Sequence, residues 1–151
     1  MKRNGLILWD AIKRNDLATI NGKLEEGFPI NHEITDSHLS ALSYACTRST
    51  DPNIFQAILS KGPDVNVRAS GGRSALHFAS LSGNTVALQV LLARPDLDKN
   101  AQTLGLETPL MLAVKGGSVQ AVALLLNSGV NPFQKNGMGQ SALDIAQTLK
   151  R

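Results

Sequence analysis

The sequence predicts an all-α fold, a solenoid of stacked helix-turn-helix units, and two observations carry this prediction. A six-residue pattern of Ser or Thr, Ala or Pro, Leu, two variable residues and Ala occupies residues 40–45, 74–79, 108–113 and 141–146, with a degenerate copy at 6–11. The closing alanines of the five stretches are 34, 34, 34 and 33 residues apart. A fixed period in the low thirties indicates stacked helical repeats, because each unit buries its apolar face only against its neighbours.

The recurring stretch resembles the Thr-Pro-Leu-His-x-Ala signature of the ankyrin repeat. Thr108-Pro109-Leu110 matches its beginning, and residues 76–79 (Leu-His-Phe-Ala) match its end. The tetratricopeptide repeat has a similar period, but its Trp, Tyr and Pro landmarks are absent here. The resemblance runs from about Leu6 to Leu149 and implies paired antiparallel helices joined to the next repeat by β-hairpin-like loops. We therefore expect a single domain over 1–151 whose first and last repeats act as caps, with repeats at about 1–31, 32–67, 68–100, 101–135 and 136–151.

The first two repeats each show signals for a pair of helices. In the first repeat, Asp16 is a candidate N-cap for the second helix, and Trp9 is expected to pack against the next repeat. In the second repeat, Ser40 is the candidate N-cap of the first helix. Asp51 followed by Pro52 reads as N-cap and first helical residue of the second. The link between these two helices lacks glycine and is expected to hold one extra residue.

The third and fourth repeats are the most regular. In the third, Ser74 is expected to cap the first helix and Thr85 the second. In the fourth, Thr108 and Ser118 take these two positions. The Leu-Gly-Leu sequence at 104–106 departs from the single glycine typical of this family, so a distorted loop tip is expected there.

The fifth repeat contains one predicted helix, from residue 141 to about 150. A C-terminal cap must present a polar outer face to water. Asp144, Gln147 and Lys150 could supply it. The alternative is a truncated chain with a frayed end.

Composition excludes several classes of protein. The chain is 42% hydrophobic and 18% charged, which is typical of a folded domain. Its net charge of +3 comes from Lys and Arg that are dispersed rather than clustered with aromatics, so nucleic acid is not the expected partner. No stretch has the length of a membrane span, and the apolar run near the N-terminus stops at Asp10, too early for a signal peptide. Cys46 is the only cysteine, which favours an intracellular, cytoplasmic or nuclear protein.

No constellation of residues indicates catalysis, a cofactor or a metal. His32, His38 and His77 lack metal-ligand spacing, and Cys46 follows a packing alanine as a small buried thiol would. The paired glycines at 71–72 and 116–117 are repeat punctuation rather than phosphate-binding loops. His77 beside Ser74 is best interpreted as a buried linker between repeats. We expect a non-enzyme without cofactor or metal, monomeric on its own.

The resemblance implies binding of another protein on the concave face, formed by the loop tips and the exposed side of each first helix. Carried over by motif phase, the candidate binding residues are Lys13, Arg14, Asp36, Leu39, Thr47, Arg48, Ser70, Arg73, Leu81, Ser82, Leu104, Glu107, Lys115, Met138 and Gln140. Basic residues interspersed with apolar ones suit an acidic-hydrophobic segment of a partner, although charges that merely solvate the surface would look the same.

Three functions follow from this interpretation. The first is a non-catalytic adaptor, scaffold or inhibitor that captures a partner protein on its concave face. The second is a weak binder of nucleic acid or an anionic surface through the same basic residues, which a steep salt dependence would reveal. The third is an ankyrin-repeat module of a larger protein, which could be an enzyme.

Overall fold

In the computed structural model of this chain, residues 2–31 and 39–150 are described, with side chains from residue 7 onward. Within these ranges the chain forms nine α-helices and no β-strand, which confirms the all-α prediction. The helices are α1 Lys2–Lys13, α2 Leu17–Glu25, α3 Ala41–Arg48, α4 Pro52–Leu59, α5 Ala75–Ser82, α6 Thr85–Leu92, α7 Pro109–Gly116, α8 Val119–Asn127 and α9 Ala142–Leu149. A short 3₁₀ turn, Ser70–Gly72, precedes α5.

The helices stack as two parallel layers, which is the predicted solenoid. The odd-numbered helices, here called inner helices, pack in order from α1 to α9, and the outer helices α2, α4, α6 and α8 do the same. The repeated leucine and alanine of the motif form the seam between neighbours. Leu42, Leu76 and Leu110 are at most 3% exposed, and Ala79 and Ala113 are fully buried. Alanine is needed where helix backbones approach closely, while leucine fills the space between layers.

Capping residues start these helices largely where the sequence predicts. The side chains of Asp16, Ser40, Asp51, Thr108, Ser118 and Ser141 each accept a backbone N–H of the first helical turn. The expectation for Thr85 was wrong, because Asn84 is the N-cap of α6 and Thr85 its first helical residue. The Asn84 amide has a donor as well as an acceptor. Its Nδ2 donates to the carbonyls of Cys46 and Ser49, 3.0 and 2.6 Å away, and so connects α6 to the previous repeat.

His77 links the third and fourth repeats. The Ser74 backbone N–H donates to His77 Nδ1 at 3.1 Å, which places the hydrogen on Nε2. Nε2 then donates to the Glu107 carbonyl, also at 3.1 Å, in the next repeat. Burial lowers the pKa of His77, and the positive charges of Arg68 and Arg73 add to this effect. A neutral histidine bridging two repeats is the predicted linker role.

The loops between repeats share one backbone hydrogen bond and are bonded to each other. Backbone N–H groups of residues 69, 103 and 136 donate to the carbonyl four residues later, at 2.8–2.9 Å. The loop at 103–107 keeps this hydrogen bond, so its bonding is not distorted as predicted. Instead Leu106 has a φ of 60°, at the position where Gly72 and Gly139 have 77° and 74°. Because the glycine of this loop is displaced by one residue, a leucine takes the left-handed conformation, which costs about 1–2 kcal/mol.

The fifth repeat contributes only α9 to the described residues. Asp144 and Gln147 are exposed, as a polar cap requires. Lys150 is exposed as well, so the three polar residues face outward as predicted, but Leu143 and Leu149 are 65% and 56% exposed beside them and the face is mixed. Motif leucines are buried by the next repeat, and the described chain has none after α9.

Candidate partner-binding surface

The predicted binding surface comprises the inner helices and the loop tips at 70–73, 103–107 and 137–140, and is here called the inner groove. Adjacent tips are joined through their backbones. The Leu104 N–H donates to the Gly71 carbonyl and the Gly137 N–H to the Gly105 carbonyl, both at 2.9 Å. A Cβ added at Gly72 would lie only 3.0 Å from the backbone nitrogen of Leu104. These contacts hold the tips as one continuous ridge.

The inner groove contains a recess of about 550 Å³ between the loop tips at 70–73 and 103–107. Leu39, Phe78 and Leu104 supply its apolar lining. Arg73 and Glu107 add charge, and Ser70, Gly71, Thr103 and Gly105 complete the wall. Leu104 is 83% exposed although it is a large apolar side chain. Five of the predicted binding residues therefore meet around one cavity.

Two predicted cations on the first two repeats lie over aromatic rings. Lys13 Nζ is 5.1 Å from the centroid of the Trp9 ring, and Arg48 Cζ is 5.9 Å from that of Tyr44. The rings themselves pack together, with centroids 5.6 Å apart and planes tilted by 32°. Trp9 thus packs on the next repeat, as predicted. Arrangements of this kind orient the cation and leave its outward N–H groups available to a ligand.

Two other predicted cations are engaged in ion pairs. Arg14 pairs with Asp10 one turn earlier on α1, and Lys115 pairs with Glu107. Arg73 has no ion pair with any residue between 39 and 150 or in the described N-terminal segment. Arg48 likewise forms no ion pair with a described residue and lies over the Tyr44 ring. Lys13, Arg48 and Arg73 are therefore the predicted cations that have no carboxylate partner among the described residues.

The remaining predicted residues occupy different environments. Ser82 and Met138 are exposed, Met138 to 82%, while Leu81 is half-buried. Thr47 donates its hydroxyl to the Tyr44 carbonyl at 2.7 Å, and Gln140 is bonded within its own loop tip to Asn136. These last two act in the fold. Asp36 lies outside the described residues, as do His32 and His38.

Sequence reasoning missed an apolar row on the inner helices, of which Phe78 lines the recess. Tyr44 and Phe78 occupy the same motif position, one residue before the closing alanine, and Leu112 and Ile145 follow at that position in later repeats. Aligning the four regular copies would have shown this apolar row, which the degenerate first copy interrupts with Asp10. Tyr44 is only 4% exposed, and its hydroxyl has no hydrogen-bond partner in the described structure.

The described residues offer little for chemistry. No three His, Cys, Asp or Glu side chains come together there in a group that could hold a metal ion. Burial raises the pKa of the Cys46 thiol far above its usual value, so this sulfur is poorly reactive. Among the described helices, none has the length and apolar character needed to cross a bilayer.

Comparison with known proteins points to one family. A family model described as ankyrin repeats in three copies matches residues 8–103, and a second described as ankyrin repeats in many copies matches residues 91–146. Photoreceptor ankyrin repeat protein from Homo sapiens is 34% identical over 135 residues, which is 84% of this chain and 30% of the relative. SMC5-SMC6 complex localization factor protein 1 from Bos taurus is 36% identical over 108 residues, 70% of this chain and 10% of the relative. The chain thus spans between about a tenth and a third of the length of these relatives.

Proposed function

Because the chain belongs to the ankyrin-repeat family, whose repeats generally bind other proteins, we propose that it is a non-catalytic adaptor, scaffold or inhibitor that binds a partner in its inner groove. The partner feature best suited to this groove is an extended segment with an apolar anchor flanked by carboxylates. Such a module could act on its own or as part of a larger protein. We expect it to act inside the cell. One relative carries the name localization factor, which is consistent with a binding rather than a catalytic role.

The observation that carries the proposal is the recess between the loop tips at 70–73 and 103–107. Its apolar lining and its volume of about 550 Å³ would accept one large apolar side chain. Leu104, mostly exposed in the free chain, would lose its contact with water when the recess is filled. A central apolar anchor surrounded by polar contacts is the arrangement found at energetically dominant sites of protein interfaces.

Charge in the groove favours carboxylates near that anchor. Arg73 lines the recess, and Arg48 lies at the end of the neighbouring inner helix α3, over the Tyr44 ring. Guanidinium groups bind carboxylates through two parallel hydrogen bonds, and a positive groove also speeds encounter with acidic segments. Lys115 is neutralised by Glu107, so the fourth repeat would add little attraction.

The experiment compares the wild-type chain with two charge-matched variants. The groove variant combines Arg48→Glu and Arg73→Glu, and the control variant combines Lys61→Glu and Lys150→Glu on exposed positions outside the groove. Circular dichroism and urea unfolding first establish that all three fold alike. Proteins recovered from native lysate are then identified, and the strongest binder is titrated against each chain.

We expect the groove variant to weaken binding at least tenfold and the control variant to change it less than threefold. Leu104→Asp should weaken binding by itself, since it removes the apolar lining without altering a cation. Equal binding by all three chains would refute the inner groove as the site. If nucleic acid is recovered and its affinity falls steeply with salt whatever its sequence, the anionic-surface function is correct instead.

A further inference from the structure

The outer helices α4, α6 and α8 can be aligned through their N-caps Asp51, Asn84 and Ser118. This register places Phe55, Leu88 and Val122 at one position, and Leu59, Leu92 and Leu126 at another. Both positions are apolar in every repeat. The same side-chain pattern therefore occurs on the last outer helix as on the two before it.

The burial of these equivalent positions decreases at α8, although Leu59 and Leu92 are themselves only partly buried. Phe55 and Leu88 are fully buried, and each lies on a helix that the next outer helix covers, α6 on α4 and α8 on α6. Val122 is only partly buried, and Leu126 is 47% exposed. On the inner layer, the motif leucine Leu76 is fully buried whereas Leu143 is 65% exposed.

Val122 lines a second recess, of about 280 Å³, at the C-terminal end of the stack. The small residues Ala113, Gly117 and Ala146 line it together with Val114, Ser118, Val119 and Val122. Val119 is 78% exposed, and no charged side chain lines the recess. We call the surface formed by this recess, Leu126 and Leu143 the end face.

Repetition within the chain indicates what the end face accepts. Each earlier outer helix presents this surface to another helix of eight or nine residues, capped at its N-terminus and apolar toward the stack. Val122 and Leu126 of α8 stand at the positions that Leu88 and Leu92 occupy on α6, the helix that α8 packs against. A helix with the apolar spacing of α6 would meet the same kind of contacts here.

A second copy of this chain fits the end face less well. If two end faces met, each recess would face the other recess. The small residues that line both would leave a void between them, and the dispersion contacts across it would be lost. The outer helix at the other end of the stack, α2, exposes Ala18, Asn21 and Glu25, so it offers no large apolar side chain to fill the recess.

We propose that the end face binds an amphipathic helix of another polypeptide, seated on α8 and α9 as α8 is seated on α6. This site is separate from the inner groove and does not depend on the function proposed for it. It would recruit a helical segment through apolar contacts, whereas the inner groove selects an acidic, extended one. The two surfaces allow the chain to hold two partners at once.

The test uses the chain's own outer helix as the probe. The probe is a fluorescent peptide with the sequence of residues 84–97, in which Gln89→Lys and Ala93→Glu are joined as a lactam. This bridge holds the peptide helical, because an isolated helix of this length is marginal in water. Binding to the complete 151-residue chain is followed by fluorescence anisotropy. A matched peptide that also carries Ala87→Asp and Leu91→Asp controls for non-specific adhesion.

Protein variants locate the site. Val119→Asp and Leu126→Asp place charge on exposed positions of the end face, so both should fold, which circular dichroism verifies. Ala123→Asp places the same charge on an exposed position of α8 that does not line the recess. We expect saturable binding to wild type, at least tenfold weaker binding to the two end-face variants, and a change within twofold for Ala123→Asp.

The proposal is overturned if the wild-type chain does not bind the helical peptide, or if all variants bind it equally. Sedimentation of the wild-type chain alone tests for self-association, and we expect a monomer. A dimer that Val119→Asp dissociates would show that a second copy, not a foreign helix, covers the end face. Preserved peptide binding by the Arg48→Glu/Arg73→Glu variant would confirm that the two surfaces are independent.

Discussion

Gly116→Ala is predicted to destabilise the protein because α7 approaches α5 closely at this residue. A Cβ at Gly116 would lie 2.4 Å from the Leu81 carbonyl oxygen and 3.2 Å from its carbonyl carbon. Both are backbone atoms of α5, so the contact cannot be relieved by turning a side chain. The two helices must separate at this end, in the middle of the stack.

The magnitude follows from two opposing effects. Alanine gains up to about 1 kcal/mol over glycine within a helix, whereas overpacking of this kind costs about 1–3 kcal/mol. We expect a net loss of about 1–2 kcal/mol for Gly116→Ala. Gly22→Ala is the matched control, since Gly22 lies within α2 and an added Cβ there meets nothing within 4 Å. That substitution should stabilise by about 0.5–1 kcal/mol.

Urea unfolding followed by circular dichroism at 222 nm measures both changes. With a slope of about 2 kcal/mol per molar urea, Gly116→Ala should lower the midpoint by roughly 0.5–1 M, and Gly22→Ala should raise it slightly. A Gly116→Ala variant as stable as wild type would refute the reasoning, because the spacing of α5 and α7 would then not depend on this contact. Equal destabilisation by both substitutions would refute it as well.

Three further predictions concern buried side chains. Leu76→Ala should cost about 2–5 kcal/mol in urea unfolding, whereas Leu143→Ala, at the same motif position but 65% exposed, should stay within about 0.5 kcal/mol; equal costs would contradict the burial described here. Because burial lowers the pKa of His77 below its unfolded value near 6.5, the unfolded chain binds the proton first. Stability should therefore be complete above about pH 6.5 and fall as the pH drops toward 5, and His77→Met should lessen this fall; an unchanged pH profile would argue against it. Cys46 should react with a thiol reagent only after unfolding in urea, and rapid labelling of the folded chain would show that its site opens.

Much of the fold could be predicted from local signals. Helix starts depend on short-range bonds between a side chain and the first helical turn, which is why Ser40, Asp51, Thr108 and Ser118 were identified correctly. The error at Asn84 has the same origin, since the neighbouring Asn and Thr are both good caps and only the bonds to the previous repeat separate them.

The candidate site could be predicted only in outline. Motif phase placed Arg73, Leu104 and Glu107 on one side of the stack, and the structure brings them to one recess. It did not predict that Lys115 pairs with Glu107 eight residues away, or that Arg48 lies over Tyr44. Such pairings depend on side-chain directions across two elements, which spacing along the chain does not specify.

The sequence by itself determined the repeat, its period and the helical pairing, because each is a consequence of local propensity and of an apolar pattern repeated five times. Only the tertiary structure decided what each copy of the pattern experiences. Leu76 and Leu143 are equivalent in sequence, yet one is buried and the other is largely exposed, since burial requires a neighbour on the far side. The same holds for Gly116, whose importance lies in the approach of a carbonyl from another repeat. In a stacked protein each unit specifies its own shape, and its environment is supplied by the unit beside it.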